Sequence, residues 1–166
     1  MLSLPHAEFD QNMEGGWRPL ASQPECREVA ADLIAAYRRA NWAQLRSSDL
    51  HLNYWHEGQL RAALGQTERA VPLLMAGVNP ANTGDGFDEY ALGTIAFLLN
   101  DRAGLQAARD RLAVVPKPEG FDRAAADFRA KYGFDAEWPQ NLGVLDQLLA
   151  CFGKSYDEAY GECEAS

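Results

Sequence analysis

Two histidines and a glutamate lie close together in the sequence and are the residues that first suggest metal chemistry. His56-Glu57 begins the HExxH pattern, in which two histidines one helical turn apart bind zinc, but Leu60 stands where the second histidine is needed. His51 and His56 are separated by about 140° around a helix, and His6 is distant in the sequence. We therefore predict surface or helix-end histidines, with no metal site and no cofactor.

Clustered carboxylates are the second group that could do chemistry, as a general acid and base. Asp85, Asp88 and Glu89 surround a predicted helix start, where the helix dipole favours negative charge. A further acidic group is typical of a solvated chain end and consists of Asp157, Glu158, Glu162 and Glu164. The chain contains no GxSxG, no phosphate-binding loop and no dinucleotide fingerprint. These observations predict a non-enzymatic protein without catalytic residues.

The three cysteines allow two interpretations. Their spacing fits no zinc pattern, and one or two of Cys26, Cys151 and Cys163 could be buried thiols that act as small apolar side chains. Alternatively, an exported protein would carry one disulfide, in which Cys163 joins the tail to Cys26 or to Cys151. The spacing leaves the pairing open.

The charge balance excludes some classes of partner. The 166 residues hold 15 basic and 24 acidic side chains, a net charge of −9. Nucleic-acid binders and proteins of anionic membrane surfaces need clusters of Lys and Arg, so we predict neither. Hydrophobic residues make up 47%, as in a globular protein, and we expect the acids to lie on its surface.

The sequence also bears on membrane insertion and compartment. Apolar runs such as 95–99 fall far short of the roughly 18 residues of a membrane span. The first residues lack the basic and apolar regions of a signal peptide. We predict a soluble protein without membrane insertion, cytoplasmic as written, or periplasmic if Met1 replaces a removed signal peptide.

The elements that must position these residues are helical. Residues 1–23 contain paired glycines and two prolines without an apolar period, so we predict an irregular arm held by Phe9 and Trp17. From residue 24 onward, apolar residues recur at three- and four-residue steps between glycine, proline and capping residues. We predict an all-α fold with a single helical domain over 24–166 and helices at 24–37, 49–64, 67–76, 87–100, 101–113, 122–131, 139–152 and 156–160.

A pattern of small and bulky residues repeats within this domain. Gly58 and Ala70 are small enough to let two antiparallel helices approach closely, and Tyr54 and Leu74 fill the space beside that contact. Gly93 follows Gly58 after 35 residues and begins a weaker copy of the same pattern. A repeat of this length predicts two helix hairpins of one type.

These residues resemble the tetratricopeptide unit, as found in small bacterial proteins that carry degenerate repeats. The resemblance covers units at about 52–84 and 87–118. Glu57 and Arg61 depart from it, because the motif has apolar or aromatic residues at both positions.

The resemblance implies a right-handed superhelix of antiparallel hairpins with flanking capping helices, and an adaptor or scaffold that holds a protein or peptide in a groove. The candidate partner-binding residues are Leu52, Trp55, Gln59, Tyr90, Thr94 and Phe97. The same side chains could instead pack against the arm or form a homodimer interface. The alternative function is an exported structural helical protein with one disulfide and no peptide groove.

Overall fold

The computed structural model describes residues 1–79, 84–161 and 163, and its regular elements are helical. The predicted all-α class is confirmed, and each of the eight predicted helices is present with slightly different ends. The tail acids Glu162 and Glu164 lie outside the described residues, as does Pro80, which stands near the position where the tetratricopeptide motif expects a terminating proline. The helices are α1 (His6–Phe9), α2 (Arg18–Ala21), α3 (Arg27–Asn41), α4 (Ser47–Ala63), α5 (Thr67–Gly77), α6 (Phe87–Leu98), α7 (Arg102–Ala113), α8 (Phe121–Tyr132), α9 (Leu142–Ala150) and α10 (Tyr156–Tyr160), with a 3-10 turn at Pro24–Cys26.

The chain divides into two compact units. The first holds Met1–Asn79 with Ser155–Asp157, and the second holds the described residues of Pro80–Lys154 and Glu158–Ser166. The first unit therefore contains α1 to α5, and the second contains α6 to α9. The predicted single domain over 24–166 stays a prediction. No helix in the described part of the chain is both long and apolar enough to cross a bilayer.

Close contact between α4 and α5 organises the first unit. A Cβ atom added to Gly58 would lie 2.8 Å from the Leu74 side chain, and one added to Gly77 would lie 3.1 Å from Trp55. Glycine at these two positions lets the two helix backbones approach closely. The repeat pattern therefore identified the residues at the centre of this hairpin.

The predicted irregular arm is more ordered than its sequence suggested. It contains the four-residue helices α1 and α2, which are too short to show an apolar period. Between them, Gly16 adopts a φ of 59°, and a Cβ there would collide with the Phe9 carbonyl oxygen. Phe9 and Trp17 pack with Ile34 and Tyr37 of α3 in one buried cluster, so the prediction that these two aromatic residues hold the arm is confirmed.

The second unit is built on the α6–α7 hairpin and α9. Asp101 caps α7 by accepting a hydrogen bond from the Gly104 amide at 2.9 Å, as Asp and Asn commonly do. A Cβ atom added to Gly93 would lie 2.7 Å from Leu145 of α9 and 3.4 Å from Ala108 of α7. Gly93 thus makes a close contact like that of Gly58, but its nearest neighbour belongs to α9 instead of the second helix of its own hairpin.

A disulfide lies in the second unit. Cys151 at the end of α9 is bonded to Cys163, and their Cα atoms are 6.4 Å apart, while Cys26 is a free thiol. The Gln147 side chain also holds the tail, because it donates to the Ala159 carbonyl at 3.0 Å. The interpretation as buried free thiols is therefore wrong for Cys151 and Cys163. The alternative interpretation, one disulfide that joins Cys163 to another cysteine, describes the structure.

Candidate functional site

Four of the six predicted partner-binding residues are buried. The exposed fraction is 3% for Trp55, 3% for Tyr90, 0% for Thr94 and 7% for Phe97, while Leu52 and Gln59 are half-buried. Thr94 donates from its hydroxyl to the Tyr90 carbonyl at 3.1 Å, and Phe97 meets Phe152 edge to face at 5.9 Å. In this structure these aromatic rings are packing residues, and their role in partner binding stays a prediction.

A different surface of the first unit holds a peptide segment, because the arm lies on α3 and α4. We call this surface the arm-binding face. Its members are half-buried or buried side chains on one side of each helix, namely Ile34, Tyr37 and Asn41 of α3 and Asp49, Asn53 and His56 of α4. Helical spacing of three, four and seven residues brings each set into line.

Polar side chains of α3 bind the main chain of the arm. The Tyr37 hydroxyl donates to the Leu4 carbonyl at 2.8 Å, and the Asn41 side-chain amide donates to the Leu2 carbonyl at 3.0 Å. Hydrogen bonds to carbonyls hold a peptide without regard to its side chains. This part of the face therefore fixes the position of the arm and does not select its sequence.

Aromatic packing anchors the same segment. The Phe9 ring stacks on Tyr37 with 3.7 Å between centroids and 5° between planes, and Phe9 has no exposed surface. The Trp17 ring lies 5.2 Å from the His56 ring, and the Arg18 guanidinium lies 4.4 Å above the Trp17 ring. Large buried aromatic side chains of this kind provide most of the binding energy in peptide and protein interfaces.

A buried carboxylate connects the arm to α4. Asp10 has no exposed surface, and it accepts hydrogen bonds from His56 Nδ1 at 2.8 Å and Trp17 Nε1 at 3.1 Å. Burial by itself raises the pKa of Asp10, but hydrogen bonds from His56, Trp17 and Gln11, together with the attraction of His56, outweigh burial and lower this pKa to about 2. Asp10 is therefore ionised at neutral pH, and His56 is its partner from the arm-binding face.

A second imidazole, that of His6, belongs to the arm and contacts polar residues of α4. His6 Nε2 lies 2.9 Å from the Asn53 side-chain amide nitrogen, and His6 Nδ1 lies 3.4 Å from an Asp49 carboxylate oxygen. The same Asn53 nitrogen donates to the Asp49 carbonyl at 2.7 Å, which fixes the orientation of the amide. His6 Nε2 is therefore the acceptor of the Asn53 amide, and Nδ1 is the ring nitrogen that lies toward Asp49.

Asp49 both faces His6 and supports the start of α4. Its carboxylate accepts two hydrogen bonds from the Arg46 guanidinium, at 2.9 and 2.8 Å, and one from the Arg46 backbone amide at 3.3 Å. The hydrogen bonds from the Arg46 side chain are the main cause of a lowered pKa of Asp49; burial opposes them and His6 adds to them. The arm and α4 are thus joined by two His–carboxylate pairs, each with one residue on either side.

Buried ion pairs hold α3 and α4 together behind this face. Glu57 of α4 lies 2.7 Å from Arg38 of α3 and 3.7 Å from Arg61, which also pairs with Asp32 of α3. The Arg38 guanidinium lies 3.9 Å above the Tyr54 ring. Glu57 and Arg61 are the two departures from the tetratricopeptide motif in the first repeat, while Glu89, Leu105 and Arg109 depart from it in the second. The structure explains the first two, because they connect α4 to the preceding helix.

The side chains that contact the arm are hydrogen-bond donors, an aromatic ring and an imidazole. His56 contacts the Asp10 carboxylate through Nδ1 and the Trp17 ring through its imidazole ring. Among the residues that the structure describes, no three His, Cys, Asp or Glu side chains are placed to hold a metal ion. The face thus offers the arm two side-chain donors for main-chain carbonyls, an aromatic ring for stacking and an imidazole that donates to a carboxylate.

Sequence reasoning missed this site because its two halves are far apart in the chain. His6 and Asp10 are four residues apart, and Asp49, Asn53 and His56 are spaced at four and three residues, so each set lies on one side of a helix. That polar stripe on α4 is the signal that could have suggested the site.

Comparison with known proteins gives no match, because no family model, curated protein or solved structure matches this chain. The resemblance to the tetratricopeptide unit therefore depends on the residues of the chain itself. Of these, Gly58 and Leu74 are in close contact in the α4–α5 hairpin.

Proposed function

We propose that this chain is a non-enzymatic helical module that binds protein or peptide segments on the arm-binding face and acts as an adaptor or scaffold. The observation that supports it most directly is the way this face holds the arm. Main-chain carbonyls of Leu2 and Leu4 are bound by α3, a buried ring stacks on Tyr37, and a buried carboxylate meets His56. These are the contacts by which binding modules hold peptides.

The proposal includes a tetratricopeptide-like arrangement of the α4–α5 and α6–α7 hairpins as a right-handed superhelix. Close contacts at Gly58 and Gly93 support two hairpins of related construction. The groove predicted from Trp55 and Tyr90 would require these rings to become exposed. The arm-binding face needs no such change, since removal of the arm alone would expose it.

A second candidate function is an exported structural protein whose arm is an ordinary part of the core. The Cys151–Cys163 disulfide favours export, because disulfides persist in oxidising compartments. Phe9 and Asp10 are completely buried, which is expected both for residues of a protein core and for residues of a bound peptide. The two functions differ in whether the arm can leave while the rest stays folded.

Cleavage of the connection between the arm and α3 tests this difference. A protease site inserted between Ser22 and Gln23, which precede the 3-10 turn, produces a nicked protein that still contains every residue of the chain. We expect the arm to remain bound without a covalent link and to exchange with a fluorescent peptide of residues 1–22 in a saturable way, measured by anisotropy. Circular dichroism during exchange should show constant helicity. Failure to exchange, or loss of helicity with the arm, would support the structural alternative.

A further inference from the structure

The contacts of the arm define which peptide the face would accept. Three arm side chains meet the face within one helical turn, since α1 spans His6–Phe9 and Asp10 follows it. His6 lies between Asp49 and Asn53, Phe9 stacks on Tyr37, and Asp10 bonds to His56. Phe9 and Asp10 have no exposed surface, so a different side chain at either position would be tolerated less than one at the partly exposed His6.

We propose that the arm-binding face selects peptides in which an aromatic residue is followed directly by a carboxylate, with an imidazole three residues before the aromatic residue, and that the arm of the chain competes with such peptides for the face. This inference rests on the proposed function. Tyr37 provides the aromatic platform, His56 recognises the carboxylate, and Asp49 with Asn53 recognises the imidazole.

The carboxylate carries most of the selectivity for a physical reason. In a complex with a peptide that lacks the acid, His56 Nδ1 would lose the partner that it has in Asp10, which is fully buried. Leaving a polar group unpaired at a buried position is more costly than a mismatch at an exposed one. An amide in place of the carboxylate keeps the shape but loses the charge. Sites built on buried polar groups discriminate strongly against analogues that do not match them.

The face also disfavours a basic peptide at the carboxylate position. A lysine or arginine at the position of Asp10 would bring a cation against the imidazole of His56, close to the Arg18 guanidinium that donates to the Asp10 carbonyl. Trp17, His56 and His6 contact the Asp10 carboxylate here, and none of them is an acid that could neutralise such a cation. The partner that fits is therefore acidic at this point and uncharged at the aromatic residue.

The nicked protein with bound fluorescent arm provides the assay. Unlabelled peptides of residues 1–22 compete for the face as the wild-type sequence, with Asp10→Asn, or with Phe9→Ala. We expect the Asp10→Asn peptide to compete at least about tenfold more weakly, as the loss of a charged hydrogen bond implies. In a host protein with His56→Gln, the ratio between the two peptides should fall below about threefold, because the group that distinguishes them is gone.

A matched variant and a second measurement distinguish a loss of selectivity from a loss of folding. His51→Gln changes another α4 histidine, which bonds to the Ala76 carbonyl instead of the arm, and it should preserve the full ratio. In the unmutated host, the ¹⁵N shifts of the His56 imidazole should differ between the complexes with the wild-type and the Asp10→Asn peptides. Exchange of the arm without carboxylate selectivity, or equal selectivity in the His56→Gln host, would overturn this inference and leave the proposed function standing. Absence of exchange would contradict the proposed function itself.

Discussion

The role of Asp10 in the first unit is not visible from its neighbours in the sequence. It is followed by polar residues and precedes a glycine pair, as a solvent-exposed turn residue would be. Its partner His56 lies 46 residues further along the chain. Local spacing cannot report a contact over this distance. The acids were expected on the surface, largely in loops, at helix starts and in the C-terminal tail, and the buried Asp10, Asp49 and Glu57 depart from that expectation.

The lowered pKa of Asp10 predicts acid sensitivity. Its value of about 2 lies below the ordinary 3.8, so the ionised form is favoured in the folded state. Asp10 therefore contributes stability above about pH 4, which is lost as the pH falls toward 2, and the shift corresponds to about 2 kcal/mol. Urea denaturation should show that the advantage of the wild type over Asp10→Asn shrinks by this amount between about pH 5 and pH 2.

A control separates this effect from general acid denaturation. Glu14→Gln removes an exposed carboxylate of the same arm and should leave the pH dependence of unfolding nearly unchanged. An advantage over Asp10→Asn that stays constant across the pH range would contradict the assigned pKa shift.

Helices of nine residues or more were predictable because their apolar residues recur with the helical period and their ends carry glycine, proline or caps. α4 and α5 show this, since Gly65 follows α4 with a φ of 70° and Thr67 begins α5. α1 and α2 were missed because four residues cannot display a period, and contacts with α3 and α4 stabilise them. Arg38 and Asp32, the partners of Glu57 and Arg61 on α3, were equally hidden, since they belong to a different helix.

Replacing Gly58 by alanine tests the close approach of α4 and α5. Alanine favours a helix by about 1 kcal/mol over glycine, but the new methyl group would lie 2.8 Å from Leu74. Overpacking of this kind costs about 1–3 kcal/mol, so we expect a net loss of about 1 kcal/mol in the free energy of unfolding.

Gly143 is the matched position for this test. It lies in α9, and a Cβ there would meet no atom within 4 Å. Gly143→Ala should therefore stabilise the protein by up to about 1 kcal/mol, the opposite sign from Gly58→Ala. Stabilisation by both substitutions in urea denaturation would show that helix propensity, and not packing, governs both positions.

Over the whole molecule, the two units are stabilised by different means. The first combines an aromatic cluster with buried ion pairs and His–carboxylate pairs, while the second has a disulfide that joins its tail to α9. Composition indicated a globular acidic chain, and both units agree with it. Three cysteines allow three pairings, and only the placement of the tail beside the end of α9 selects one of them.

The disulfide provides a prediction for the chain as a whole. Thiol titration of the oxidised protein in denaturant should find one free thiol, that of Cys26, and three after reduction. Cys163→Ser should lower the free energy of unfolding by about 2–3 kcal/mol, since a bond across about a dozen residues restricts the unfolded chain. Cys26→Ser breaks no bond and should have a much smaller effect. Three free thiols before reduction would refute the pairing, and an equal loss from both variants would show that the bond contributes no stability of its own.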